Sequence, residues 1–133
     1  MHLEKRLQAI DGLAGKYGML KPSPLVASIL REGLKYVLEN EGYEQLLTQD
    51  VSDMDDADVI SWLQSVLSDV SNTISVWWLF EHEGVTIASG DFCEHYDDLW
   101  HPSSDDLLVV CGDGSRLVEL HHEEVFAVFE KSH

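Results

Sequence analysis

A chain of 133 residues with 25 Asp and Glu against 8 Lys and Arg has a formal net charge of −17. Many like charges on one small surface raise a potential of several kT, which excludes nucleic acid and anionic lipid as natural partners and favours basic proteins or cations. With 44% hydrophobic residues interleaved among the charges, one folded domain over 1–133 is expected, mainly helical over 1–70 and mainly antiparallel β over 73–130.

The first elements are helical. Leu3, Leu7, Ile10 and Ala14 recur at helical spacing, with Leu13 and Tyr17 beside them, and predict an amphipathic helix over the first sixteen or so residues. Gly12, Gly15 and Gly18 weaken its second half. Lys21-Pro22-Ser23-Pro24 is a break, and Ser23 before Pro24 suits the N-cap and first turn of a second helix. Leu25, Ile29, Leu30, Leu34, Val37 and Leu38 mark one face of that helix, which Gly42 is placed to end. Tyr43 to Leu47 is read as one further helical turn before an acidic loop, Asp50 to Asp56. Val59, Leu63, Val66, Leu67 and Val70 predict a third helix from about Asp55 to Asp69, with Asp53, Asp55, Asp56 and Asp58 at the end where the helix dipole favours negative charge.

After Asn72 the pattern changes. Thr73 to Phe80 is β-branched and aromatic, and Glu81-His82-Glu83-Gly84 turns it into Val85-Thr86-Ile87-Ala88, a hairpin. Leu107 to Cys111 and Arg116 to His121 flank Gly112-Asp113-Gly114-Ser115, and Asp-Gly between apolar runs signals a second hairpin. Val125 to Phe129 fits a strand or a helical turn equally well, with the preference for a fifth strand. The expected class is α+β, with the N-terminal helices packed on one face of a C-terminal antiparallel sheet of four to five strands.

No apolar run reaches signal-peptide or membrane-span length, so a cytoplasmic location without membrane contact is expected. Cys93 and Cys111 are expected to be free, buried thiols.

Reactive side chains concentrate between the hairpins, in a segment read as a long loop from Asp91 to Asp106. It holds Cys93, His95, His101, Tyr96, Trp100 and six carboxylates. Cys93 and His95, with His82, His101, His121 or His122 nearby, are possible zinc ligands. No C-x-x-C or H-E-x-x-H spacing occurs, so neither metal nor cofactor is expected. A calcium loop from Asp53 fails at Ala57, Asp58 and Gln64. G-x-S-x-G, Walker and G-x-G-x-x-G motifs are absent. Trp77 and Trp78 are adjacent on a strand and must point to opposite faces. Trp100 and Tyr96, set among carboxylates, have the composition of a protein-binding surface, expected to comprise Glu94, Tyr96, Asp97, Asp98, Trp100, Asp105 and Asp106. The alternative for Trp100 is that it folds back over one end of the sheet.

In size, in charge and in the stretches Val76-Trp77-Trp78-Leu79-Phe80, Tyr96-Asp97-Asp98-Leu99-Trp100 and Pro102-Ser103-Ser104-Asp105-Asp106, the chain resembles the small acidic immunity proteins that bacteria pair with secreted toxins. The resemblance implies a non-enzymatic inhibitor that captures a basic protein such as a toxin or nuclease, with carboxylates standing in for substrate phosphates. It assigns no residue a role. The alternative is a small metal-dependent or hydrolytic enzyme built on Cys93, His95, Asp97, Asp98 and His101. Pairing through a free sheet edge is opposed by like charge, so a monomer or weak homodimer is expected.

Overall fold

The computed structural model describes residues 3–67 and 72–131. In chain order they form α1 (Leu3–Gln8), β1 (Tyr17–Leu20), α2 (Pro24–Glu32), α3 (Leu34–Asn40), β2 (Tyr43–Asp50), α4 (Asp56–Leu67), β3 (Thr73–Trp78), β4 (Glu83–Ala88), α5 (Ser89–Glu94), α6 (Tyr96–Leu99), β5 (Leu107–Cys111), β6 (Arg116–His121) and β7 (Val125–Lys131). The strands make one antiparallel sheet in the order β1-β4-β3-β5-β6-β7-β2. The class is therefore α+β with an antiparallel sheet, as the sequence predicts, but with seven strands in place of four to five.

The two additional strands come from the half read as helical. Gly12 and Gly15 take positive φ, 90° and 74°, conformations that glycine reaches without a Cβ penalty, and α1 ends before them. Tyr17 to Leu20 then pairs with β4 as one edge of the sheet. Tyr43 to Asp50, where a further helical turn is predicted, pairs with β7 as the other edge and carries a bulge between Gln45 and Leu47. The predicted second helix is two helices, broken at Gly33 (φ 97°, ψ 147°). Its N-terminus is as expected: Ser23 Oγ accepts from Val26 N at 3.3 Å, and Pro24 opens the first turn. The third helix runs to Leu67, and its predicted end at Asp69 lies outside the described residues.

Alternation along the central strands decides the layering. Ile74, Val76 and Trp78 of β3, with Leu107, Val109 and Cys111 of β5, enter a core closed by α1, α4, α5 and α6. Trp77, Leu108, Val110 and Leu117 point the other way and meet Val26, Ile29, Val37 and Leu38 of α2 and α3. The helices thus cover both faces of the sheet, not one. All five residues of β5 are buried, since a strand between two helical layers has no wet face. Trp77 lies over Gly84, its cross-strand partner, where an added Cβ would stand closer than 3.0 Å to three atoms of the indole ring.

The segment from Asp91 to Asp106 is not an open loop. It forms α5, α6 and a tight return held from the N-terminus of the chain. Arg6 Nη2 donates to Asp105 Oδ2 at 2.7 Å and to the Leu99 carbonyl at 3.2 Å. Trp78 Nε1 donates to that same carbonyl at 3.0 Å, and Trp100 Nε1 donates to the Asp105 carbonyl at 3.2 Å. Arg6 of α1 therefore neutralises one carboxylate of this acidic segment from within. Among the described residues, no helix is long and apolar enough to cross a membrane.

Candidate functional site

Two acidic segments far apart in sequence meet at one cleft. The first runs from the end of β2 into α4. Asp50 Oδ1 accepts from Ser52 N at 2.9 Å and Ser52 Oγ at 2.6 Å, and these bonds lower its pKa and keep it ionised. Asp55 Oδ1 accepts from Asp58 N at 2.9 Å, a capping bond that starts α4. The second segment is α6, whose Tyr96 hydroxyl donates to Asp56 Oδ1 at 2.7 Å. That bond ties the segments together across forty residues of sequence.

The cleft beside this bond has a volume of about 220 Å³. Its floor includes buried Val51, Val59, Tyr96 and Trp100, and its walls carry Asp56, Asp97, Glu124 and His101. Among the described residues, no Lys or Arg lines it. Burial raises the Tyr96 pKa, and so do the hydrogen bond to Asp56 and the charges of Asp56, Asp97 and Asp55. The phenol stays protonated and continues to donate, while carboxylates crowd around it. A small apolar floor under an anionic rim suits a Lys or Arg side chain, whose methylenes cover the floor while the charged head meets carboxylate.

The residues singled out in the sequence divide into three groups. Asp97 is exposed and Tyr96 and Trp100 are buried, but all three belong to the cleft, while Glu94 and Asp98 are exposed on α5 and α6. Tyr96 and Trp100, each 5% exposed, are floor rather than protruding anchors. Trp100 folds back over the core, edge-on to Phe126 at 5.0 Å between ring centroids. Asp105, 2% exposed, is committed to Arg6 and to His101 N at 2.8 Å, and is unavailable to a partner. Asp106 is half-buried, with His122 Nδ1 at 2.9 Å. Sequence reasoning missed Asp56 and Glu124 as members of the site. The density of acids from Asp50 to Asp58 was visible, but no spacing pattern tied it to Tyr96.

Cys93 is fully buried, and burial pushes its thiol up to about 11. Since the thiolate is the reactive form, nothing at Cys93 prepares a nucleophile. Cys111 is likewise buried and free, pushed up to about 11. His95 packs beside Gly12, whereas His101 stands at the cleft, so the two imidazoles serve different neighbourhoods. No protein-family model, curated protein or solved structure matches the chain.

Proposed function

We propose that this protein binds a basic protein partner and acts as an inhibitor of the immunity type, receiving a Lys or Arg side chain in the cleft between Asp56 and Asp97. The observation that carries the reading is the convergence of two acidic segments on a cleft that has, among the described residues, no Lys or Arg in its lining. The surrounding carboxylates, including exposed Asp53, Asp55, Asp58 and Asp98, raise the encounter rate by long-range attraction. The cleft supplies the short-range contacts. Arg fits best, because a planar guanidinium meets carboxylates in pairs and stacks on aromatic rings.

The test is affinity capture from lysate and spent medium of the native source, with wild-type protein and an Asp56→Lys/Asp97→Lys variant run in parallel at low and high salt. Support requires a basic protein retained by the wild type in near-stoichiometric yield through the high-salt wash and lost by the variant. Equal retention by both proteins removes the cleft from the reading. Recovery of salt-labile basic proteins alone reduces the charge to a non-specific attraction.

A further inference from the structure

Away from the cleft, the β5–β6 hairpin gathers a second constellation. Leu107 pairs with Leu120, which sets Asp106 beside His121 at the end of the hairpin. Strand alternation places Asp106, Glu119 and His121 on the same face as Leu108 and Leu117, toward α2 and α3. His122 opens the turn into β7 and folds back, so that its ring stacks on that of His121 with centroids 4.2 Å apart. Asp106 Oδ1 accepts from His122 N at 2.8 Å and lies 2.9 Å from His122 Nδ1, while Glu123 N donates to His121 Nδ1 at 3.1 Å. One donor atom from each of Asp106, His121 and His122 lies within 4.8 Å of the other two. Glu119 pairs with Leu108, two positions before His121 on the same face of the hairpin.

Capping of a turn by Asp106 accounts for His122 alone. It does not explain a second imidazole stacked on the first. The geometry points to a binding site for one borderline divalent cation, Zn²⁺ foremost, held by Asp106, His121 and His122 with Glu119 as the nearby countercharge. Two imidazoles and a carboxylate are zinc ligands by type, and this donor set prefers Zn²⁺, Co²⁺ or Ni²⁺ to Mg²⁺ or Ca²⁺. Donors around one ion at about 2.0–2.2 Å stand roughly 3–4 Å from one another. The Asp106–His122 pair already has that spacing. The remaining gap closes by rotation of His122, which is 50% exposed, and three protein donors leave further positions for water.

Chelator-treated protein is titrated with Zn²⁺ by calorimetry and with Co²⁺ by visible absorption. The expected result is one equivalent of either ion, a Co²⁺ d–d spectrum displaced by Zn²⁺, and at least about tenfold weaker binding in His121→Ala and in His122→Ala. Because the Asp106 bond orders the turn, His122→Gln provides a second variant that keeps a polar side chain there, and circular dichroism checks the fold of each. Asp56→Asn, in the acidic cleft, is expected to bind the metal as the wild type does. The inference is overturned if no stoichiometric Co²⁺ spectrum forms, if the folded His variants bind as tightly as wild type, or if millimolar Mg²⁺ displaces the ion. That last result would signify diffuse accumulation of cations on an acidic protein.

Discussion

Replacing Arg6 tests the idea that the N-terminal helix serves as an internal counterion. The Arg6 side chain is 13% exposed and that of Asp105 is 2% exposed, so this ion pair is largely removed from water. Removing one partner of a buried pair costs about 3–5 kcal/mol, because the other charge is left uncompensated. Arg6→Met is the preferred change, since it retains an apolar stem against the core and isolates loss of the charge. Asp105 keeps its bond from His101 N, and the Leu99 carbonyl keeps Trp78 Nε1, so the expected loss lies at the lower end, about 3 kcal/mol. With a urea m-value of about 1–3 kcal/mol per molar, the unfolding midpoint falls by roughly 1–3 M.

Asp105→Asn and the double variant complete a thermodynamic cycle. In the double variant no charge is stranded, so the combined loss is expected to fall short of the two single losses added together by more than about 0.5 kcal/mol. Native-state hydrogen exchange supplies the spatial readout. His101 N, which donates to the Asp105 carboxylate, is expected to lose protection before the strands of the central sheet do. A loss below about 1 kcal/mol for Arg6→Met, or additive single effects, would refute the reasoning, because the pair would then behave as an exposed one.

Gly84→Ala drives a methyl into the Trp77 indole, and overpacking of this kind costs about 1–3 kcal/mol; an unchanged melting temperature would mean the ring has room to move. Both thiols are pushed up to about 11 from 9.0, so the unfolded chain releases these protons first. The stability held below pH 9 is therefore lost as pH rises toward 11, by about 2–3 kcal/mol per thiol at most. Melting curves of Cys93→Ala and Cys111→Ala are expected to decline less steeply over that range than the wild-type curve, and equal slopes would contradict the assignment. Self-repulsion at a net charge of −17 predicts that the melting temperature rises from about 0.01 M to 0.1 M salt, as the screening length falls from about 30 Å to about 10 Å. A flat curve would mean that the carboxylates are already dispersed.

Legibility in the sequence followed the range of the interactions. The β5–β6 hairpin could be read because Gly112-Asp113-Gly114-Ser115 fixes its turn locally, and the opposed faces of Trp77 and Trp78 follow from strand geometry alone. Strands β1 and β2 could not, since their partners β4 and β7 lie more than sixty residues away and short segments take their conformation from pairing. The two-sided cover of the sheet did leave a signal. Leu107-Leu108-Val109-Val110-Cys111 is an unbroken apolar run, the pattern of a strand buried on both faces. Asp105 left none: its residue type argues for the surface, and the positive charge that makes its burial tolerable comes from Arg6, ninety-nine positions away.

The same contrast bears on what the acidic surface is for. Among the described residues, Arg6 with Asp105 and Arg116 with Glu130 are the pairs that join an arginine or lysine to a carboxylate. The first ties α1 to the return before β5, ninety-nine positions away, and the second joins cross-strand neighbours of β6 and β7. Exposed carboxylates from Asp53 to Asp58 and at Asp97 and Asp98 have no such partner, although lysines on neighbouring turns would reduce the repulsion with little effect on packing. Asp50 and Asp55 have local work to do, in a turn and in a helix cap, but among the described residues Asp97 and Asp98 show no comparable bond. The fold's need for charge is met by a few placed residues, and the remaining excess is a cost to the isolated chain. Under the proposed reading, a basic partner offsets that cost on binding. Complex formation should then raise stability most at low ionic strength, where the repulsion it relieves is greatest.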